Sequence, residues 1–160
     1  MAVAAEVSVE PVVERYVDDC ETPVSAFLKL RASELGDGPC YLLESAEQGR
    51  LGRYSFLGFA PRETLEWRLG DEGDPYGLAD ALVARHRLSR REDLPAFPGG
   101  AVGFFGYDLV RTVEPLGEPN PDPLGLPDMA LMVCELMLVF DHMKHELSVV
   151  GFAFDGDEER

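Results

Sequence analysis

The chain has 160 residues, enough for one domain or for part of a larger one. Lys and Arg number 14 against 30 Asp and Glu, a formal net charge of −16 within an ordinary 46% apolar composition. So acidic a surface excludes nucleic acid and anionic membranes as partners, because both require basic patches.

No run of about 18 apolar residues provides a membrane-spanning helix. The first residues carry Glu6 and Glu10 and lack a basic start, so no secretory signal is read there and a cytoplasmic location is expected. Residues 1–19 read as a short acidic arm. Thr22 and Pro23 then form a helix entrance, a capping hydroxyl followed by a ring suited to the first helical position. Val24, Phe27, Leu28 and Leu35 recur on one face at the 3.6-residue period, and Gly36 and Gly38 mark the end. Residues 40–45 read as a strand with Tyr41, Leu43 and Ser45 on one face and Cys40, Leu42 and Glu44 on the other.

A loop containing Gly49 and Gly52 leads to a second strand over 54–59. After Pro61, alternation predicts a third, half-buried strand with Leu65, Trp67 and Leu69 inward and Thr64, Glu66 and Arg68 toward water. Asp74 and Pro75 open a second helix whose apolar stripe is Leu78, Ala79, Leu82 and Val83. The arginines that follow, Arg85, Arg87, Arg90 and Arg91, are interrupted by Glu92 and Asp93 and lack interleaved aromatics, so they read as a solvated helix end. The segment "FPGGAVGFFGYDLV" runs four glycines through apolar residues into a helix capped by Asp108. Five prolines in 114–128 make that stretch a surface loop. Two long apolar strands then form a hairpin across "DHMKHE", the first of them central to a sheet, and 156–160 are a polar tail.

The fold class is therefore α+β, mostly antiparallel sheet with a few flanking helices. The unit proper spans 20–155. A strand hairpin this apolar requires more cover than short helices supply, so a piece of a larger protein is expected.

Several motifs carry little chemistry. The glycines of 99–106 lack the Gly-Lys-Ser/Thr ending of a phosphate loop and lie inside an apolar run, where a missing side chain admits close backbone approach. His142 and His145 do not match a metal-ligand spacing and fall on a turn. Cys134 lies mid-strand without an adjacent base. The three cysteines, Cys20, Cys40 and Cys134, are too widely spaced for a disulfide framework or a zinc site. No catalytic set assembles, and no cofactor is expected on this chain.

The stretch "LLESAEQGRLGRYSF" is different. It places a carboxylate, hydroxyls and a guanidinium at the mouths of two apolar strands. A free amino acid is a zwitterion. Glu44 and Ser45 offer acceptors for its ammonium, Arg53 and Ser55 offer donors for its carboxylate, and Leu43, Phe56 and Leu57 offer an apolar wall. Solvated strand ends holding no ligand are the plain alternative.

The motifs "ETPVSAF", "LLES", "GRYSFLG" followed by Pro61, "FPGGAVGFFGYD" and "LPDMALMVCELMLVFDH" occur in the order and at the spacing of one family. Together they resemble the N-terminal region of anthranilate synthase component I, from about residue 11 to about residue 155. The resemblance implies half of a large β-sandwich, completed by the protein's own C-terminal region. It implies a feedback site for L-tryptophan lined by Leu43, Glu44 and Ser45 of the Leu-Leu-Glu-Ser motif, with Arg53 as the basic residue and Tyr54 and Ser55 as neighbours. It further implies that chorismate and Mg²⁺ are held by the absent C-terminal region. Ammonia would come from a glutamine amidotransferase subunit, component II, and the products would be anthranilate and pyruvate. Aminodeoxychorismate synthase component I, which shares this architecture, and a free-standing amino-acid-binding module remain alternatives.

Overall fold

In the structure, a computed structural model, residues 9–45, 52–86, 88, 92–95, 97–118 and 121–154 are described. The elements are β1 (Val9–Val17), α1 (Pro23–Arg31), β2 (Tyr41–Leu43), β3 (Tyr54–Trp67), α2 (Pro75–Arg85), β4 (Ala101–Phe105), β5 (Met129–Asp141) and β6 (Glu146–Phe154). Short 3-10 turns occupy Glu34–Gly36 and Tyr107–Thr112. Among the described residues the six strands make one sheet in the order β1-β6-β5-β3-β2, with β4 also on β5. All of these pairings are antiparallel, so the α+β class expected from alternation is the class observed.

β5 is the spine. β3 pairs with it along its whole length, so its other edge is shared by β6, beside Leu136–Asp141, and β4, beside Met129–Val133. That explains the sequence of β5, apolar on both faces: it has neighbours on both edges, and its upper half, residues 137–141, is buried on both faces.

β3 corrects the expectation of two strands separated at Pro61. It is a single 14-residue strand with one extra residue between Pro61 and Glu63, and Ala60 there takes φ = 51°. Proline cannot donate to a ladder, so a bulge is where a central strand tolerates it. The extra residue also reverses the face. Ser55, Leu57 and Phe59 point to the α1 side, whereas Leu65 and Trp67, also odd-numbered, point to the α2 side.

Three clusters fill the two faces. Under α1, Ala26 packs with Leu57, Phe59, Leu138 and Phe140. Under α2, Ala79 and Leu82 pack with Trp67, Leu109, Met129, Leu131 and Val133. Higher on that second face Met137, Val139 and Val150 pack with Val13, Phe56 and Phe152 of the neighbouring strands and with Phe97 from outside the sheet.

Both helix entrances form as read. Thr22 accepts from the Ser25 amide and Ser25 accepts from the Thr22 amide in return, while Asp74 accepts from the amides of Tyr76 and Gly77. The apolar stripes differ. Val24, Leu28 and Leu35 are exposed, and α1 buries Pro23 and Ala26 with Phe27 and Leu30 beside them. Contact with the sheet beneath decides that face: Phe27 meets Phe59 at 5.5 Å between ring centres, beside Ala26 and Leu30. α1 also ends at Arg31, before the glycines expected to stop it. On α2, Val83 is exposed and Leu82 fully buried, and Leu69 lies beyond β3 in solvent.

Residues 9–17, within the expected acidic arm, are β1, hydrogen-bonded to β6 along its length. Its alternation of Val9, Pro11 and Val13 against Glu10, Val12 and Glu14 is an edge-strand pattern. Asp108 does not cap a helix: Gly106 precedes the 3-10 turn, and Asp108 binds Arg111 within it at 2.7 Å. Gly49, Arg87, Arg90, Arg91 and the polar tail 156–160 lie outside the described residues.

Candidate functional site

The first residues of β3 meet the last residues of β5. Tyr54 lies opposite Asp141 and Ser55 opposite Phe140, and the amide of His142 donates to the Arg53 carbonyl at 2.9 Å. This antiparallel register carries Arg53 and Ser55 to the β5–β6 turn, 88 and 87 residues away in sequence from the groups they bind.

Arg53 makes a two-pronged ion pair with Asp141: Nε donates to Oδ1 at 3.0 Å and Nη2 to Oδ2 at 2.6 Å. The Asp141 Oδ1 also accepts from the amides of Met143, at 3.1 Å, and Lys144, at 3.3 Å. The Arg53 fork above all, then the turn amides, hold the Asp141 carboxyl below the usual aspartate range despite its burial. Reciprocally, the hydrogen bonds to Asp141 raise the Arg53 guanidinium further above its already high value. The guanidinium carbon lies 4.8 Å from the centre of the Tyr54 ring, over its face.

Ser55 is 1% exposed, and its Oγ lies 2.8 Å from Nε2 of His142. The His142 ring in turn lies nearly parallel to Phe140, at 6.4 Å between centres.

On the neighbouring strand Leu43 ends β2 opposite Phe56 and is exposed, and Glu44 and Ser45 follow it, exposed as well. Leu43, Tyr54 and Phe56 therefore share one sheet face, while Ser55 and Leu57 share the other. The six candidates converge on one end of the sheet rather than on one face of it. Within that end Arg53, Tyr54 and Ser55 are joined to the β5–β6 turn, and Leu43, Glu44 and Ser45 stand at the adjacent strand mouth. The segment linking the two groups, 46–51, lies outside the described residues.

Two features differ from the sequence reading. That reading makes Arg53 and Ser55 open donors; both have internal partners, and Ser55 is buried. Leu57 cannot wall a cleft at this end, since it is fully buried beneath α1, whereas Phe56 packs edge-on against Phe97 on the other face. A concavity of about 360 Å³ does open beside the site, with Arg15, Tyr54, Glu92, Asp141, Lys144 and Ser148 in its lining.

Sequence reasoning weighs His142 only as a metal ligand and sets it aside because "DHMKHE" reads as an exposed turn; the pairing of Asp141 with Arg53 and of His142 with Ser55 is what it misses. The signal that could find them is topological: two strands read as antiparallel neighbours, one starting with Arg-Tyr-Ser and the other ending with Asp-His, bring those ends together. Elsewhere, no group of three or more His, Cys, Asp or Glu among the described residues could hold a metal ion. Burial, with Cys40 adding to it, pushes the Cys134 thiol up to about 12, the range of an inert core thiol. No helix among the described residues is long and apolar enough to cross a membrane.

No family model matches the chain. Individual relatives do. It is 39% identical over 158 residues to anthranilate synthase component 1 of Thermus thermophilus, covering 94% of this chain and 34% of that protein. The same protein of Mycolicibacterium smegmatis is 40% identical over 175 residues, covering 99% and 33%. That of Pseudomonas aeruginosa is 38% identical over 158 residues, covering 88% and 31%. Among solved structures, anthranilate synthase component I from Streptococcus pneumoniae superposes with a TM-score of 0.53 at 27% identity, covering 79% of this chain and 28% of that one. The chain thus spans about a third of the length of the curated relatives it matches. With this chain aligned almost end to end at this identity, it is similar over nearly its whole length to one region of anthranilate synthase component I.

Proposed function

We propose that this chain is the N-terminal, L-tryptophan-binding regulatory region of an anthranilate synthase component I. The observation that carries the reading is the cluster at the strand mouths. Relatives named for this enzyme match nearly the whole chain, and the polar groups of the Leu-Leu-Glu-Ser and Gly-Arg-Tyr-Ser stretches lie at one end of one sheet. Glu44 and Ser45 would accept from the ammonium of the amino acid and Arg53 would donate to its carboxylate. Leu43 and the Tyr54 ring would offer apolar surface to the side chain. Ser55, being buried against His142, acts by fixing the strand end rather than by direct contact.

In the whole protein the remaining two-thirds would hold chorismate and Mg²⁺ and convert chorismate, with ammonia released from glutamine by component II, into anthranilate and pyruvate in the cytoplasm. Mg²⁺ would supply charge neutralisation there, away from this chain's own residues. Tryptophan would inhibit by binding one arrangement of the two regions better than the other, which shifts their equilibrium away from the active one.

Titration calorimetry of the full-length protein tests the site. Ser45→Phe should weaken L-tryptophan binding at least about tenfold, the loss expected when a charge-assisted hydrogen bond is removed and its place filled. Unchanged affinity in Ser45→Phe would remove the strand mouths from the site.

A further inference from the structure

The guanidinium of Arg53 has two edges that can each take a carboxylate: the side edge, Nε with Nη2, and the end edge, Nη1 with Nη2. Asp141 occupies the side edge, at 3.0 and 2.6 Å. Among the described residues Nη1 makes no hydrogen bond, so the end edge is open, and the Arg53 side chain is 31% exposed. Asp141 is itself fixed. Its side chain is 9% exposed, two amides of the β5–β6 turn bind its Oδ1, and its backbone is paired in the sheet to both Tyr54 and Glu146. The Tyr54 ring beneath the guanidinium limits the plane it can adopt.

We propose that Asp141 is the positioning residue of the amino-acid site: by holding the side edge of Arg53 it aims the end edge at the ligand's carboxylate. This rests on the reading of the site given above and adds an element to it, the β5–β6 turn, which the Leu-Leu-Glu-Ser and Gly-Arg-Tyr-Ser stretches do not contain. The physical gain is preorganisation. A free arginine loses rotamer freedom when it binds, whereas one already held loses little, so more of the interaction appears as affinity. The arrangement also selects ligands. A guanidinium whose charge is already balanced by Asp141 attracts simple anions weakly, and discriminates in favour of a planar carboxylate placed where two parallel N–H groups can meet it.

The test is calorimetry on the full-length protein with two ligands, L-tryptophan and L-tryptophanamide, the latter lacking the carboxylate. Arg53→Ala should weaken L-tryptophan at least about tenfold and the amide little. Asp141→Asn should reproduce that pattern, about tenfold for the acid and less than about twofold for the amide, while Asp141→Glu recovers part of the loss. Equal losses for both ligands in Asp141→Asn would mark a mere structural staple and overturn the proposal, as would no loss at all. Should Asp141→Asn fail to fold, Arg53→Lys serves instead. It keeps the charge but has no second edge, so it should lose the preference for acid over amide, and retention of that preference overturns the proposal. If Arg53→Ala leaves L-tryptophan binding unchanged, the site itself is wrong and the positioning role falls with it; if Arg53→Ala acts and Asp141→Asn does not, only the positioning role falls.

Discussion

At Gly103 the β4 backbone runs so close to β5 that a Cβ would lie 1.9 Å from the Ala130 carbonyl oxygen and 2.8 Å from the Leu131 Cα. Both are backbone atoms paired in the sheet and cannot step aside. Gly103→Ala should therefore destabilise the fold by about 1–3 kcal/mol, the usual cost of overpacking. Gly151→Ala in β6, where nothing lies within 4 Å of the new methyl, should be neutral to within about 0.5 kcal/mol. Thermal unfolding of the two variants side by side checks this, and equal melting temperatures would show that β4 yields. The packing role of Gly103 was legible in the sequence, because a glycine inside an apolar run buries no side chain of its own and instead lets a neighbouring backbone close in. The partners of Arg53 and Ser55 were not. They depend on which residue of β5 faces which residue of β3, a register that local pattern does not fix when β5 is apolar on both faces. The candidate residues were thus legible as a set, by their chemistry at the strand mouths, while the division into open and internally engaged donors was not.

At the scale of elements, caps were easier to read than faces. Thr22 and Asp74 act on amides two or three residues away, so the local sequence contains the whole interaction. A helix face is decided by what lies beneath it. On α2 the periodic stripe includes both Leu82 and Val83, neighbours about 100° apart, and only contact with Trp67 and Leu131 decides between them. Leu82→Ala should cost about 2–5 kcal/mol, since it empties a fully buried site, whereas Val83→Ala, on a 52% exposed residue, should stay within about 0.5 kcal/mol. Urea unfolding midpoints of the two variants measure the difference, and comparable shifts would place α2 in a different rotation about its axis. The bulge of β3 was illegible for the same reason. Pro61 signalled an interruption, but that the chain continues as one strand with its faces exchanged depends on β5 remaining paired on both sides of the bulge.

For the whole molecule, the two sheet faces are unequal. The α2 face is covered along its length, by α2 at one end and by Phe97 with its neighbours at the other. The α1 face is covered only near β2, β3 and the upper half of β5. On that face Val12 of β1 is 60% exposed, Tyr16 51% and Phe104 of β4 46%, aligned by register with Gly151, Leu147 and Ala130. In the proposed whole protein this face meets the remaining two-thirds of the chain, as the second layer of a sandwich requires. In the 160-residue chain alone two forces then compete: exposed apolar area favours self-association, and a net charge of −16 opposes it. Salt shifts the balance, because the screening length falls from about 10 Å at 0.1 M to about 3 Å at 1 M. Sedimentation velocity should therefore show the chain associating more at about 1 M than at about 0.1 M NaCl. The variant Val12→Lys with Phe104→Lys separates the two causes. It lowers the net negative charge, which by itself would promote association, yet it removes apolar surface from the open face; less association than the parent chain at both salt concentrations identifies that face as the adhesive one, and more association would refute it.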